Sequence, residues 1–298
     1  MLRWRLVSSA VIISILVLLL WLDVQHNLGR PGIWISLVGY VVVLLGTSEL
    51  LHLLSLQNLR PVTAVTYIGS VGVFAAACVP VYWQDYPADC PIGGLGWPLL
   101  ALAFGVGSAL IGEMWRFKSA GGVIMNVASS IFVMAYVGLL LSFLVPLRVF
   151  QSNYVGFAAL LSVFVIVKVS DTGAYTVGRL IGRHKMAPAL SPGKTIEGAI
   201  GALVTACLCS VLYFQFLVPI LVGSPAETEI WASALYGVII GIVGMIGDLA
   251  ESLIKRDCGQ KDSSTWMPGL GGVLDVTDSV LAAAPAAYAC WAAGLVRG

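Results

Sequence analysis

The sequence predicts an all-α membrane protein, a polytopic bundle of about nine transmembrane helices with the N-terminus inside and the C-terminus outside. Three observations carry this prediction. Of 298 residues, 59% are hydrophobic and only 10% are charged, whereas a soluble domain needs about a quarter of its residues charged to cover its surface. Apolar runs long enough to cross a hydrocarbon core of about 30 Å recur along the whole chain. The basic residues between them fall mostly on one side, as the short cytosolic loops of a membrane protein require.

The runs lie at about 6–22, 33–56, 62–82, 95–112, 122–145, 154–170, 198–223, 231–254 and 273–296. The first follows Arg3 and Arg5 and has the charged and apolar parts of a signal peptide. Its apolar stretch of about 17 residues is long for one, and no small-x-small cleavage site follows before Asp23, so it reads as a retained helix. With alternating sides, the inside segments hold Arg3, Arg5, Arg60, Arg116, Lys118, Arg179, Arg183, Lys185, Lys194, Lys255, Arg256 and Lys261. The outside segments hold only Arg30, Arg148 and Arg297, and Lys168 sits near the inner end of its own span. The last run begins with Asp275 and Asp278, so a count of eight stays open. No linker, low-complexity tract or internal repeat divides the chain. Residues 1–153 read as about five chemically plain spans, and 154–298 as a second membrane region with long cytosolic loops at 170–197 and 255–272.

A net charge of +1 says little about partners, and no nucleic-acid partner is expected. The six cysteines, Cys78, Cys90, Cys207, Cys209, Cys258 and Cys290, show neither a CxxC pair nor zinc-ligand spacing and read as free thiols.

Polar chemistry concentrates in three stretches. The first runs Ser170-Asp171-Thr172-Gly173-Ala174-Tyr175, through Gly178-Arg179 and Gly182-Arg183-His184-Lys185, to Ser191-Pro192-Gly193-Lys194-Thr195 and Glu197-Gly198. Basic groups alternate with glycines, which admit backbone N–H groups close to a phosphate while Ser, Thr and Lys supply hydroxyls and a point charge. Ser191 to Thr195 resembles the end of a Walker loop, but Ala189 stands where the leading glycine belongs, so a P-loop is not supported. A plain basic loop obeying the inside rule explains this composition equally well.

In the second stretch Asp248, Glu251, Ser252 and Lys255 recur at i, i+3, i+4 and i+7, one stripe of a helix. A carboxylate at the centre of a span costs roughly 2.5–3.5 kcal/mol on insertion scales and faces a partner or a watery cavity. An Asp–Lys pair reaching out at the inner helix end is the plain alternative. The third stretch holds Lys261-Asp262-Ser263-Ser264, Pro268-Gly269-Leu270-Gly271-Gly272, Asp275 and Asp278. Asp248, Asp275 and Asp278 are oxygen donors of the kind a hard cation such as Mg²⁺ accepts, its shell completed by water and substrate phosphates. Helix N-termini also favour Asp because of the macrodipole, which accounts for one of these residues more easily than for the set.

The pattern Ser252-Leu253-Ile254-Lys255-Arg256, Lys261-Asp262-Ser263, Pro268, Gly271-Gly272, Leu274-Asp275 and Asp278 resembles the C-terminal motif of the phosphatidate cytidylyltransferases, also called CDP-diacylglycerol synthases. Asp171-Thr172-Gly173-Ala174-Tyr175 and Ser191 to Gly198 are similar to that family's cytosolic segment. The resemblance covers about 165–285. Two positions depart from it: Leu270 stands where the family usually has His, and Val276 where it usually has Arg. Their loss removes a proton-transfer group and a fixed cation.

The resemblance implies attack of a phosphatidate oxygen on the α-phosphorus of CTP, giving CDP-diacylglycerol and pyrophosphate with Mg²⁺ or Mn²⁺ as cofactor. It assigns catalysis to Asp248, Lys255, Asp275 and Asp278, with Asp248 and Asp275 holding the metal. Asp171, Ser191, Lys194, Ser252, Arg256, Lys261 and Asp262 would bind substrate. The partners implied are CTP, phosphatidate or a similar anionic lipid, and the bilayer; a homodimer stays open. The expected setting is the inner membrane of a bacterium, the active site facing the cytosol. Three rivals remain: another lipid phosphate or lipid alcohol as acceptor, an ion-coupled transporter using Asp248 and Glu251, and an inactive homologue.

Overall fold

A computed structural model describes residues 2–83, 85–87, 89–267 and 271–298, with side chains from Ser14 onward. Pro268, Gly269 and Leu270 of the motif lie outside the described residues. Helices follow one another as α1 (Leu2–Gln25), α2 (Ile33–Leu56), α3 (Thr63–Ala77), a short turn Val79–Tyr82, α4 (Gly93–Arg116), α5 (Val123–Arg148) and α6 (Asn153–Ile181). A two-stranded antiparallel hairpin, β1 (Lys185–Ala187) and β2 (Ser191–Thr195), precedes α7 (Ile196–Val222), α8 (Ile230–Asp257) and α9 (Val273–Ala292).

Each of the nine expected runs falls on one of these helices. Seven of them, α2 and α4 to α9, are long and apolar enough to cross a membrane. The chain is a multi-pass membrane protein. Its outward apolar side chains fit a hydrocarbon surround rather than water: Ile68, Phe104, Trp115 and Ile220 are all largely exposed.

One expectation needs correction. The segment 170–197 is not a loop throughout, because α6 continues to Ile181. The Thr172 and Thr176 hydroxyls donate to the carbonyls of Lys168 and Thr172, one turn back, which ties these polar residues into the helix. Likewise α8 runs on through Lys255 and Arg256 to Asp257. The hairpin, which apolar periodicity does not reveal, pairs Lys185 with Thr195 and Ala187 with Ser191.

The chain forms two compact units, Met1–Pro146 with Asp257–Val276, and Leu147–Arg256 with Thr277–Gly298. In the first unit Leu50, Leu53, Val73, Phe74, Met134 and Val137 are buried. Asp23, itself fully buried, accepts from the N–H groups of Gly32 and Trp34 at 3.0–3.1 Å and so caps α2. In the second unit Phe214 packs edge-on against Tyr236 with ring centroids 5.3 Å apart, and Trp291 lies 5.6 Å away. Here α6 and α7 approach closely: a Cβ on Gly173 would run into Thr205, and one on Gly198 into the Ala174 carbonyl. Gly173 and Gly198 therefore serve helix packing.

Candidate active site

The second unit gathers charge from three helices and the hairpin. Asp248, near the end of α8, forms an ion pair with Lys194 of β2 at 2.7 Å. Asp171 of α6 pairs with Lys168, one turn earlier, at 3.5 Å. The carboxylates of Asp171 and Asp278 are both within Coulombic reach of Asp248 and of Lys168. Asp278 comes from the second turn of α9 and is buried, while Asp171 and Asp248 are partly open. Three carboxylates and two lysines thus share one neighbourhood. Such a mosaic suits a polyanion arriving with a divalent cation, since each charge has a partner that a ligand can replace.

Beside it on α8, Lys255 pairs with Glu251 one turn back, and both are buried. Ser252 is buried on the same stripe, as the helical spacing predicts. Arg256 is exposed and donates from Nε to the Leu190 carbonyl at 3.2 Å, which ties the end of α8 to the hairpin turn. Ser191 opens β2 and is half-buried. At the helix–hairpin junction the Glu197 carboxylate accepts from the backbone N–H groups of Arg183 and His184 and lies 2.6 Å from the His184 ring.

The first unit holds the remaining motif residues. Lys261 and Asp262 are exposed. Asp275 starts α9, and its Oδ2 accepts from Ser263 N at 2.8 Å, Ser263 Oγ at 2.7 Å and Gly272 N at 2.8 Å. Gly271 has φ +86°, in the left-handed region that favours glycine, and any side chain there would meet Asp275. The expected metal pair Asp248 and Asp275 therefore belongs to two different units. Within its own unit the carboxylate neighbours of Asp248 are Asp171 and Asp278. Among the described residues, no three His, Cys, Asp or Glu side chains converge as a ready-made metal site. Oxygen-only donors in pairs still fit Mg²⁺, which takes one or two carboxylates and completes its shell with water and phosphate.

Two residues escaped the sequence reading. Lys168, placed only near the inner end of its span and in neither loop set, is a cation within a span three residues before Asp171, and that spacing is a usable signal. Glu49 was not considered. It is an isolated carboxylate in an apolar run, which is itself a signal, and it is buried at 4% exposure amid donors from residues more than two hundred positions away.

The model of the cytidylyltransferase family matches residues 3–293 of this chain. The chain belongs to that family. A phosphatidate cytidylyltransferase of Staphylococcus haemolyticus is 31% identical over 272 residues, covering 91% of this chain and 94% of the relative. One from Mycobacterium bovis is 31% identical over 275 residues, covering 88% of this chain and 80% of the relative. One from Haemophilus influenzae is 44% identical over a shorter 132 residues, 44% of this chain and 45% of the relative. The family match extends through the N-terminal helices, which the motifs alone did not reach.

Proposed function

We propose that this chain transfers the cytidylyl group of CTP to phosphatidate on the cytosolic side of a bacterial inner membrane, releasing pyrophosphate and leaving CDP-diacylglycerol in the bilayer. The observation that carries the reading is the Lys194–Asp248 ion pair with Asp171, Asp278 and Lys168 around it, in a chain whose full-length relatives are phosphatidate cytidylyltransferases. A phosphatidate oxygen forms the new bond to the α-phosphorus of CTP. The bond from that phosphorus to the β-phosphate oxygen breaks, and its electron pair leaves with pyrophosphate.

The obstacle is repulsion between two polyanions, so catalysis is electrostatic. Lys194 and Lys168 hold phosphates by exchanging their carboxylate partners for substrate oxygens. Arg256 adds an exposed cation and Ser191 and Ser252 donate hydroxyl hydrogen bonds, while Lys261 and Asp262 enter as substrate-binding residues through the family motif alone. Lys255, held by Glu251, supplies fixed positive charge to the helix stripe. Asp248 and Asp275, the pair that the family motif assigns, are the residues that would hold Mg²⁺ or Mn²⁺, with Asp278 one turn further along α9; the ion, when bound, would neutralise charge building on the leaving pyrophosphate. Asp275 enters through its motif and as the ordered start of α9. The phosphate nucleophile is already ionised near neutral pH, so the reaction requires no strong base and tolerates the absence of His at position 270.

The test is CTP-dependent pyrophosphate release by detergent-purified protein with phosphatidate and Mg²⁺, with Asp275→Asn as control. Release that requires phosphatidate and falls to a small residual rate in the variant supports the reading. Release with a different lipid phosphate or a lipid alcohol, but not with phosphatidate, moves the acceptor and traces to Leu270 and Val276. No release with any lipid from folded protein leaves the inactive homologue.

A further inference from the structure

Glu49 lies seven residues before the end of α2, within a span, where an uncompensated carboxylate is disfavoured. Its compensation is specific. Oε1 accepts from the Trp266 indole N–H at 2.8 Å and from the Val273 backbone N–H at 2.8 Å. Oε2 accepts from the Leu274 backbone N–H at 2.9 Å and lies 2.8 Å from the Ser263 hydroxyl, whose single proton it shares with Asp275. Two of these four donors are among the first N–H groups of α9, which have no partner within their own helix. A cap normally comes from the residue just before the helix; here it comes from a carboxylate 224 positions away in sequence.

Asp275 and Glu49 also share Ser263, whose hydroxyl sits 2.7 Å from one carboxylate and 2.8 Å from the other. Gly272 makes this arrangement possible, because a Cβ there would overlap both the Ser263 hydroxyl and the Glu49 carboxylate. So Gly272, part of the family motif, is the clearance that lets Glu49 reach the helix start.

We propose that Glu49 is a positioning residue for the transfer reaction: it caps α9 and clamps Ser263 and Trp266, and thereby fixes the carboxylate of Asp275. This rests on the proposed function, in which Asp275 takes part in catalysis. Glu49 touches no substrate and acts through Asp275.

A double-mutant cycle tests it, with Glu49→Gln, Asp275→Asn and the pair compared in the full-length protein. Gln keeps the shape but turns an NH₂ group toward the donors. Removing a charged acceptor from several hydrogen bonds predicts a fall in kcat of about tenfold to a hundredfold, with KM for CTP changed less than about threefold. In the Asp275→Asn background the same change should cost less than about threefold, since the two residues act as one unit. Full multiplication of the two losses, or an unchanged kcat in Glu49→Gln, overturns the proposal.

Hydrogen exchange on the peptide covering 271–276 supplies a readout independent of activity. Glu49→Gln should speed it by about tenfold or more, as expected when helix-terminal N–H groups lose their acceptor. Unchanged exchange overturns the proposal even where activity falls. If the parent is inactive yet exchange responds as stated, the clamp stands and the functional reading fails. Should Glu49→Gln not fold, Ser263→Ala and Trp266→Phe each remove one donor. Each should lower kcat severalfold in the parent and not in Asp275→Asn, and additivity there counts against the clamp.

Discussion

In the first unit, Glu49 and Asp275 are surrounded by N–H and O–H donors that belong to the fold, whereas in the second unit Asp171 and Asp248 meet lysine side chains. The difference separates two uses of an acidic residue in lipid. A backbone N–H cannot be exchanged for a substrate, so Glu49, which accepts from two of them at the start of α9, serves structure. A lysine can swing from a carboxylate to a phosphate, and its departure leaves the carboxylate for a metal cation. Burial follows the same division: Glu49 is 4% exposed, while the Asp248 side chain is 34% exposed and that of Lys168 49%. Asp248 therefore meets an exchangeable partner, whereas the donors on Asp275 belong to the fold.

The comparison breaks most sharply at Asp248. Asp248→Asn keeps the size of the side chain and loses the charge that faces Lys194. The expected loss in initial rate is about a thousandfold, or about 4 kcal/mol of transition-state stabilisation. The melting temperature in detergent should move by no more than a few degrees, because the residue is partly exposed and its pairing adds little to stability. A variant that keeps a tenth of the parent rate would show that the lysine-paired cluster is not where the reaction occurs.

Gly272→Ala tests the other half. The added methyl group falls on Ser263 and Glu49, so the cap must open or the loop must shift. Overpacking of this kind costs about 1–3 kcal/mol, seen as a lower melting temperature in detergent together with reduced activity. An unchanged melting temperature would mean that the capping carboxylate is not held as tightly as its four hydrogen bonds imply.

Lys168→Met sharpens the account of the second unit by removing a cation without opening a cavity. Discounted for its half-exposed position, the loss of one phosphate contact predicts a rise in KM for CTP or phosphatidate of about threefold to tenfold, with kcat nearly unchanged. The defect should shrink as salt rises, since screening weakens the same contact in the parent. A fall in kcat with KM constant would instead make Lys168 part of the transition-state machinery.

What the sequence discloses divides along the same line. Spans were legible because lipid imposes a long, uninterrupted apolar run, and the stripe Asp248, Glu251, Ser252 and Lys255 was legible because it recurs at helical spacing on one element. The end of α6 was missed because Thr172 and Thr176 look like loop residues until their hydroxyls bond back within the helix. The hairpin was missed because a three-residue strand has too few positions to display a period. Glu49 is visible in the sequence as a lone carboxylate in an apolar run, but its role is not, because that depends on contacts with residues more than two hundred positions away.

The packing partners of Gly173 and Gly198 likewise lie on another element, which no local pattern encodes, and Gly193 offers the discriminating case. It shares its segment with Lys194, yet a Cβ placed on it would have no neighbour within 4 Å, unlike Gly173, Gly198 or Gly272. If glycines in this family motif serve packing alone, Gly193→Ala should change stability by less than about 0.5 kcal/mol and leave KM for CTP within about twofold of the parent. If the backbone of Gly193 instead admits a phosphate that the empty space beside Lys194 could accommodate, the methyl group will raise KM for CTP while leaving the melting temperature unchanged. Pyrophosphate-release kinetics across a CTP titration separate the two, and the second result would give Gly193 a phosphate role beside Lys194.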